Sequence, residues 1–207
     1  MNTLMLNGHS KNNARLFVLT AENHAEYASR REWDMLNLDV PYDVNCDCGL
    51  IRFLLCHWET VVMLGSDIWF TNMDIDALSF APAEAAMTMA PDPCTDFPAN
   101  GDFTIFRRLP TLEPLLSRIE QLQTRETRFG YQDAVKAILD SGGMPGLHIA
   151  QPRTLQSYPT AKGCIPPVRD DVFWQKGDLC IHFVGGGNWK KCLDIVAFDK
   201  LKLICEP

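Results

Sequence analysis

The clearest pattern in the chain is the run Thr60-Val61-Val62-Met63-Leu64, which has no polar break before the small-residue turn Gly65-Ser66-Asp67. A strand covered by helices on both faces reads this way, and such strands belong to parallel sheets. Upstream, Thr3-Leu4-Met5-Leu6 predicts a short strand ending at a turn, Asn7-Gly8-His9-Ser10. From Lys11 to Arg31 the period becomes helical. Ala14, Phe17, Val18, Ala21, Ala25 and Ala28 share one face, Arg15, Glu22, Glu26 and Arg30 lie largely away from it, and Ser10 is the cap. Trp33 to Leu38 alternates apolar and polar, as a second strand does. Leu50, Ile51, Leu54, Leu55 and Trp58 then recur at helical spacing and lead into the central run. Strand–helix–strand–helix–strand predicts a doubly wound α/β domain with right-handed crossovers and a mostly parallel sheet flanked by helices.

The second half has a different texture. Ala85 to Ala90 and Phe103 to Phe106 predict strands, with a Pro/Asp loop at Pro91-Asp92-Pro93 and a turn at Asn100-Gly101 between them. Thr111 caps a helix carrying Leu112, Leu115, Leu116, Ile119 and Leu122. A further helix starts at Tyr131-Gln132-Asp133, holds Ala134, Val135, Ile138 and Leu139, and ends at Gly142-Gly143. Met144 to Val172 is rich in Pro and Gly, with short strands predicted at Leu147–Ile149 and Val172–Trp174. Leu179 to Phe183 predicts the last strand, followed by Val184-Gly185-Gly186-Gly187-Asn188-Trp189-Lys190-Lys191. There is no internal repeat, so residues 1–207 read as one domain.

Composition narrows the class. At 207 residues and 46% hydrophobic the chain can bury a sizeable core, and no apolar run reaches the roughly 20 residues of a membrane span. The first residues lack the basic and apolar regions of a secretory signal. None of the eight cysteines forms a CxxC pair, so reduced thiols in a cytoplasm are expected, and Cys46-Asp47-Cys48 lacks a second Cys/His knuckle for zinc. A net charge of −7 removes the broad basic footprint of a general nucleic-acid binder but leaves room for a local basic groove.

Three polar clusters stand at element ends. Ligands of open α/β sheets bind beyond the carboxyl ends of strands, which puts Asp67 opposite a ligand; the alternative is that Asp67 caps the next turn. Gln132 and Asp133 either face that ligand or are ordinary first-turn residues. His182 lies in an apolar strand, as a cation ligand or as a satisfied core histidine. A carboxylate and an imidazole from distant strands suit a divalent cation such as Mn²⁺. A glycine run with a lysine behind it suits a phosphate, since backbone amides approach and the ammonium adds charge. Together these describe a metal-assisted diphosphate site. No GxGxxG follows the first strand, which argues against a dinucleotide-binding domain.

The order of these segments resembles the galactosyl- and xylosyltransferase family (glycosyltransferase family 34). Asn23-His24-Ala25-Glu26-Tyr27-Ala28 followed by Trp33-Asp34 is similar to its "N-x-x-x-Y-A/C … G-Y/F-D" segment. Val61 to Asn72, VVMLGSDIWFTN, resembles its "lWlDsDivitn" strand with the DxD motif. Asn100-Gly101-Asp102-Phe103 resembles "N-x-G-x-F", Tyr131-Gln132-Asp133-Ala134 resembles "D-Q-x-A", and Ile181 to Gly186 resembles the closing "tHFaGC".

The resemblance implies a GT-A fold, with residues 1–80 as the nucleotide-binding half and 81–207 as the acceptor-binding half. It implies a hexosyl- or pentosyltransferase that moves a sugar from a UDP-sugar, with retention at the anomeric carbon and with Mn²⁺ or Mg²⁺. Asp67 and His182 would hold the metal, and Gln132 and Asp133 would be catalytic. Asn7, Gly8, Gly65, Ser66, Asp67, Asn100, Gly101, Asp102, Gly185, Gly186 and Lys190 would contact the donor. Two positions depart from the family: Gly65 stands where the first acid of DxD is usual, and Tyr131 stands where an acid is frequent. Gly65 keeps open a weakened relative that binds a nucleotide sugar or glycan without transferring it. An unrelated nucleotidyltransferase is the third reading. Without an anchor the expected setting is a bacterial or viral-host cytoplasm, with a glycan, a protein or a hydroxymethylated pyrimidine in phage DNA as acceptor.

Overall fold

A computed structural model describes residues 2–9, 14–41, 48–93, 98–123, 131–158 and 170–183. Strand β1 (Thr3–His9), helix α1 (Ala14–Arg30), strand β2 (Asp34–Pro41), helix α2 (Cys48–His57) and strand β3 (Thr60–Gly65) follow in the predicted order. Strands β2 and β3 both pair with β1 in parallel, so the chain is doubly wound about β1. Then come β4 (Ile68–Phe70), β5 (Met87–Ala90), β6 (Asn100–Arg107), α3 (Leu112–Leu122), α4 (Tyr131–Asp140), β7 (Leu147–Ile149) and β8 (Cys180–His182). The main sheet has the order β2-β1-β3-β6-β5-β7, and β4 pairs with β8 in a separate antiparallel ribbon. Strand β6 alone runs against the others, pairing antiparallel with both β3 and β5.

The unbroken apolar run of β3 follows from burial on both faces. Val61 and Met63 join a core with Ile51, Leu54 and Leu55 of α2 and the apolar faces of α3 and α4. Val62 and Leu64 join a second core with Tyr27 and Ala28 of α1, Ile68 and Phe70 of β4, and Phe103 and Ile105 of β6.

Several local expectations change. Strand β1 continues through Asn7 and Gly8 to His9, because both neighbours supply ladder partners up to Gly8. Ser10, the expected cap of α1, lies outside the described residues, as do most of the loop before α2 and Cys46. Asn100-Gly101 is no turn: it opens β6, where Asn100 pairs with Ala90 across a bulge. Thr111 makes no side-chain cap of α3. Val172 ends a 3₁₀ turn, Asp170–Val172, and only Phe173 bridges, to Tyr158.

Helix α1 departs most from expectation. Val18 is 72% exposed and Ala25 is exposed, whereas Thr20, Asn23, His24 and Tyr27 are buried beside Phe17 and Ala28. The polar groups are buried because the segment after β3 needs partners. Thr20 Oγ1 donates to Ser66 O (2.8 Å), and Asn23 closes a two-way pair with Phe70, donating to its carbonyl (3.0 Å) and accepting from its N–H (2.8 Å). Tyr27 donates to Ile75 O (2.8 Å), accepts from Ala77 N (2.9 Å) and stacks on Phe70 with centroids 3.7 Å apart. The N-x-x-x-Y segment thus clamps the backbone that carries Asp67.

His24 completes the clamp. Its Nε2 lies 2.7 Å from Ile68 O, so Nε2 carries the proton and donates, while buried Nδ1 has no partner. Burial, opposed by the bond to Ile68, lowers its pKa to about 4. The unfolded chain therefore takes up a proton near pH 6.5 that the folded chain refuses until about pH 4. Stability from neutral His24 is complete above the unfolded value and falls as pH drops through this window, by about 3 kcal/mol in all. Urea unfolding between pH 7 and 4.5 should show a shallower pH dependence for His24→Gln, which keeps a donor but does not titrate. Parallel curves for the two proteins would contradict this.

Candidate functional site

The carboxyl ends of β1, β3 and β5 and the start of β6 meet at one edge of the sheet, because β6 runs antiparallel. The winding reverses at β1 and β3, the switch point at which open α/β sheets bind ligands, and there Asn7, Gly8 and Gly65 sit side by side, with Asn7 paired to Leu64 and Gly8 to Gly65. Asn7 is buried; its Nδ2 donates to Asn37 Oδ1 (3.3 Å), and its Oδ1 has no partner.

Beyond β3 the chain turns at Ser66-Asp67 and enters β4. The register of the β4–β8 ribbon sets Ile68 opposite His182, and Phe183 N donates to Asp67 O (2.8 Å). Two residues far apart in sequence are thereby fixed side by side. His182 Nε2 lies 3.4 Å from Asp67 Oδ1 and 3.2 Å from Asp102 Oδ2. Asp67 and the wholly buried His182 form the inner wall, while the Asp102 side chain is 41% exposed and forms the open side.

Electrostatics bind these groups together. Burial raises the Asp67 carboxyl, His182 opposes that shift and Asp102 adds to it. Burial also disfavours charge on His182, but the Asp67 and Asp102 carboxylates overcome it and push its pKa up to about 10. Two carboxylates around one imidazole leave an uncompensated negative charge. Neither ring nitrogen of His182 makes a hydrogen bond, and the buried hydroxyl of Ser66 has no partner. Candidate ligand atoms of Asp67, Asp102 and His182 all lie within 4.8 Å of one another. Two carboxylate oxygens and an imidazole are a donor set suited to a divalent cation such as Mn²⁺. The residues present therefore fit a metal.

The rest of the edge is built from β6 and α4. Asn100 donates from Nδ2 to Asp92 Oδ2 (3.2 Å) and accepts at Oδ1 from Asp102 N (2.9 Å). Gln132 Oε1 accepts from Gly101 N (3.0 Å), and its Nε2 reaches Ala99 O (3.4 Å). Gln132 thus braces the start of β6 while one lone pair of its oxygen remains for a ligand. Tyr131 replaces the expected acid with a buried phenol, bonded to Gly101 O and to Thr104 Oγ1 (2.9 Å). Gly101 has to be glycine here, since a Cβ would stand 2.5 Å from the Tyr131 hydroxyl. Asp133 is half-buried beside Gln132 in the first turn of α4. Gly185, Gly186 and Lys190 lie outside the described residues.

The sequence reading missed two residues near this edge. Asp92, 8% exposed, follows the end of β5 as Asp67 follows β3, and the same strand-end rule would have found it. Tyr158 is fully buried, tilted against the His182 ring at 5.4 Å, and accepts from Gln156 Nε2 (2.6 Å). Burial raises its hydroxyl well above the usual tyrosine value, and Asp92 and Asp102 add to the shift. Its Pro/Gly-rich surroundings carry no periodic signal.

No protein-family model matches the chain, and no curated protein matches it in sequence. Solved structures do. A glycosyltransferase involved in the glycosylation of the major capsid of PBCV-1 superposes with a TM-score of 0.69 at 16% identity, over 94% of this chain and all of its own. The Streptococcus pneumoniae TIGR4 glycosyltransferase GlyE gives 0.55 at 10% identity, over 100% of this chain and 66% of its own. The galactosyltransferase LgtC, solved with donor and acceptor sugar analogs, gives 0.51 at 13% identity, over 88% of this chain and 87% of its own. With its six-stranded mixed sheet and the two-stranded ribbon beside it, the chain has the GT-A fold that these glycosyltransferases share.

Proposed function

We propose that the protein is a glycosyltransferase that moves a sugar from a UDP-sugar to an acceptor hydroxyl with retention. The observation that carries this reading is the Asp67–His182 pair, buried and cation-ready at the carboxyl edge of a GT-A sheet. A divalent cation bound there, Mn²⁺ or Mg²⁺, would supply Lewis-acid charge to a diphosphate leaving group. Asn7 and Gly8 offer a polar floor for the uridine beside β3. Gly185, Gly186 and Lys190 are proposed to meet the diphosphate through backbone amides and an ammonium. The free lone pair of Gln132 would stabilise positive charge that appears at the anomeric carbon only in the transition state, and Asp133 would orient the acceptor or act as the nucleophile. In this reading residues 1–80 form the nucleotide-binding half and 81–207 the acceptor-binding half, the latter also contributing His182, Gly185, Gly186 and Lys190 to the donor site, and the acceptor is a glycan, a protein or a hydroxymethylated pyrimidine base.

Gly65 favours a second reading, a relative that binds a nucleotide sugar without transferring it. A thermal-shift panel of nucleotide sugars, with and without Mn²⁺, tests the donor site. At a hundredfold excess over Kd a true donor adds about 2.7 kcal/mol, or roughly 5–10 °C for a domain of this size. A response to nucleoside triphosphates alone, with their turnover, would replace this reading with a nucleotidyltransferase. Slow Mn²⁺-dependent hydrolysis of the stabilising UDP-sugar separates enzyme from binder. The anomer of the transfer product, read by NMR, decides retention.

A further inference from the structure

The missing acid at position 65 has a structural counterpart. Strand β6 pairs with β3 up to Leu64↔Phe103, and one step further the antiparallel register sets Gly65 across from Asp102. Residues directly opposite in a sheet project to the same side with their Cβ atoms close together. Here the approach is closer than two side chains allow. A Cβ built on Gly65 would lie 3.0 Å from both Cβ and Oδ1 of Asp102 and 2.9 Å from Asp67 Oδ1. The space that a side chain at 65 would enter is already filled by the Asp102 carboxyl group.

We infer that Asp102, on β6, supplies the carboxylate that a strand-end acid on β3 would otherwise bring, so that the cation is held across two adjacent strands by Asp67, Asp102 and His182. The inference rests on the metal-assisted reading above and specifies how that site is built. Three observations carry it. Asp102 Oδ2 is as near to His182 Nε2 as Asp67 Oδ1 is, at 3.2 and 3.4 Å. The imidazole between them is wholly buried and makes no hydrogen bond at either nitrogen. The backbone of Asp102 is held in place, its N–H donating to Asn100 Oδ1 and the preceding Gly101 N–H donating to Gln132. Gly65 is then a requirement of the design: any side chain there displaces one of the two carboxylates. The exposed edge of Asp102 also leaves one side of the site open to an incoming anionic group.

The test is direct Mn²⁺ binding to the full chain, read by loss of the free-ion EPR signal, with and without UDP. Asp102→Asn, the same size and without charge, should weaken Mn²⁺ binding at least tenfold while circular dichroism and melting stay close to wild type. Gly65→Asp alone should also weaken it, because the new side chain collides with both existing carboxylates. Gly65→Asp combined with Asp102→Gly removes the collision with Asp102, leaves only that with the end of the Asp67 side chain, and should bind Mn²⁺ at least tenfold more tightly than Asp102→Gly. Undiminished binding by Asp102→Asn overturns the inference, and so does a failure of the double variant to improve on Asp102→Gly. A wild-type chain that binds nucleotide sugars but no divalent cation overturns the metal-assisted reading itself, and is recognised before any variant is compared.

Discussion

Asp67→Asn is expected to lower sugar transfer about a thousandfold or more and to leave the fold intact. The carboxylate is 6% exposed, faces His182 at 3.4 Å and belongs to a cluster with surplus negative charge. A cation held there would be worth several kcal/mol of transition-state charge stabilisation, and each 1.36 kcal/mol is tenfold in rate. Burial means that truncation to alanine would remove packing as well as charge, so the isosteric amide is the cleaner variant. Asparagine keeps the volume and relieves the penalty that burial places on the carboxylate. His182 retains Asp102 as a partner, so no charge is left orphaned. Unfolding free energy should therefore change by no more than about 1 kcal/mol, within the range of substitutions that break no packing or network. Initial rates at saturating donor and Mn²⁺, with a urea titration alongside, measure both effects. A variant keeping more than a tenth of wild-type activity would show that the donor does not bind at this edge.

Asn23→Ala, by contrast, should damage stability first and activity as a consequence. Asn23 touches no part of the cation cluster. Its amide satisfies the N–H of Phe70 at 2.8 Å and its carbonyl at 3.0 Å, both in the buried layer between α1 and β4. Truncation leaves both backbone groups without their partner, and each buried group left unsatisfied costs about 1–3 kcal/mol. The urea midpoint should fall by an amount equivalent to roughly 3 kcal/mol. Thr20, His24 and Tyr27 still grip the flanking carbonyls, so the chain should fold, with the segment from Ser66 to Phe70 less firmly placed. Transfer should then fall more than the small unfolded fraction explains, with a weaker response to Mn²⁺. An unchanged midpoint would mean that the Asn23–Phe70 pair contributes nothing net to folding.

Much of this architecture is written locally. The central strand is legible because a strand covered on both faces has no solvent side on which to place polar residues, and β3 shows Val61 and Met63 in one core with Val62 and Leu64 in the other. The helical spacing of α2, α3 and α4 was equally readable, since each presents one face to the same core, whereas the stretch Trp33–Leu38 divides, with Trp33 and Met35 on one core and Leu38 on the other. Asp67 and His182 were legible as candidate ligands from residue type and position at strand ends. Their pairing as a cation site was suggested by the chemistry of a carboxylate and an imidazole and reinforced by the resemblance in motif order.

What remained was decided by contacts between distant segments. Much of the buried side of α1 is polar, with Thr20, Asn23 and His24 set among Phe17, Tyr27 and Ala28, and the periodicity of apolar residues could not reveal it. Thr20, Asn23, His24 and Tyr27 are buried because the backbone of the segment from Ser66 to Ala77 needs partners there. The antiparallel direction of β6 likewise leaves no mark on the composition of a buried strand. That direction brings Asp102 to the same edge as Asp67 and turns Gly65 from an apparent defect into the space that Asp102 occupies. A residue's chemistry is fixed by its type, but whether two carboxylates and an imidazole form one site depends on strand order and register, which long-range pairing alone sets.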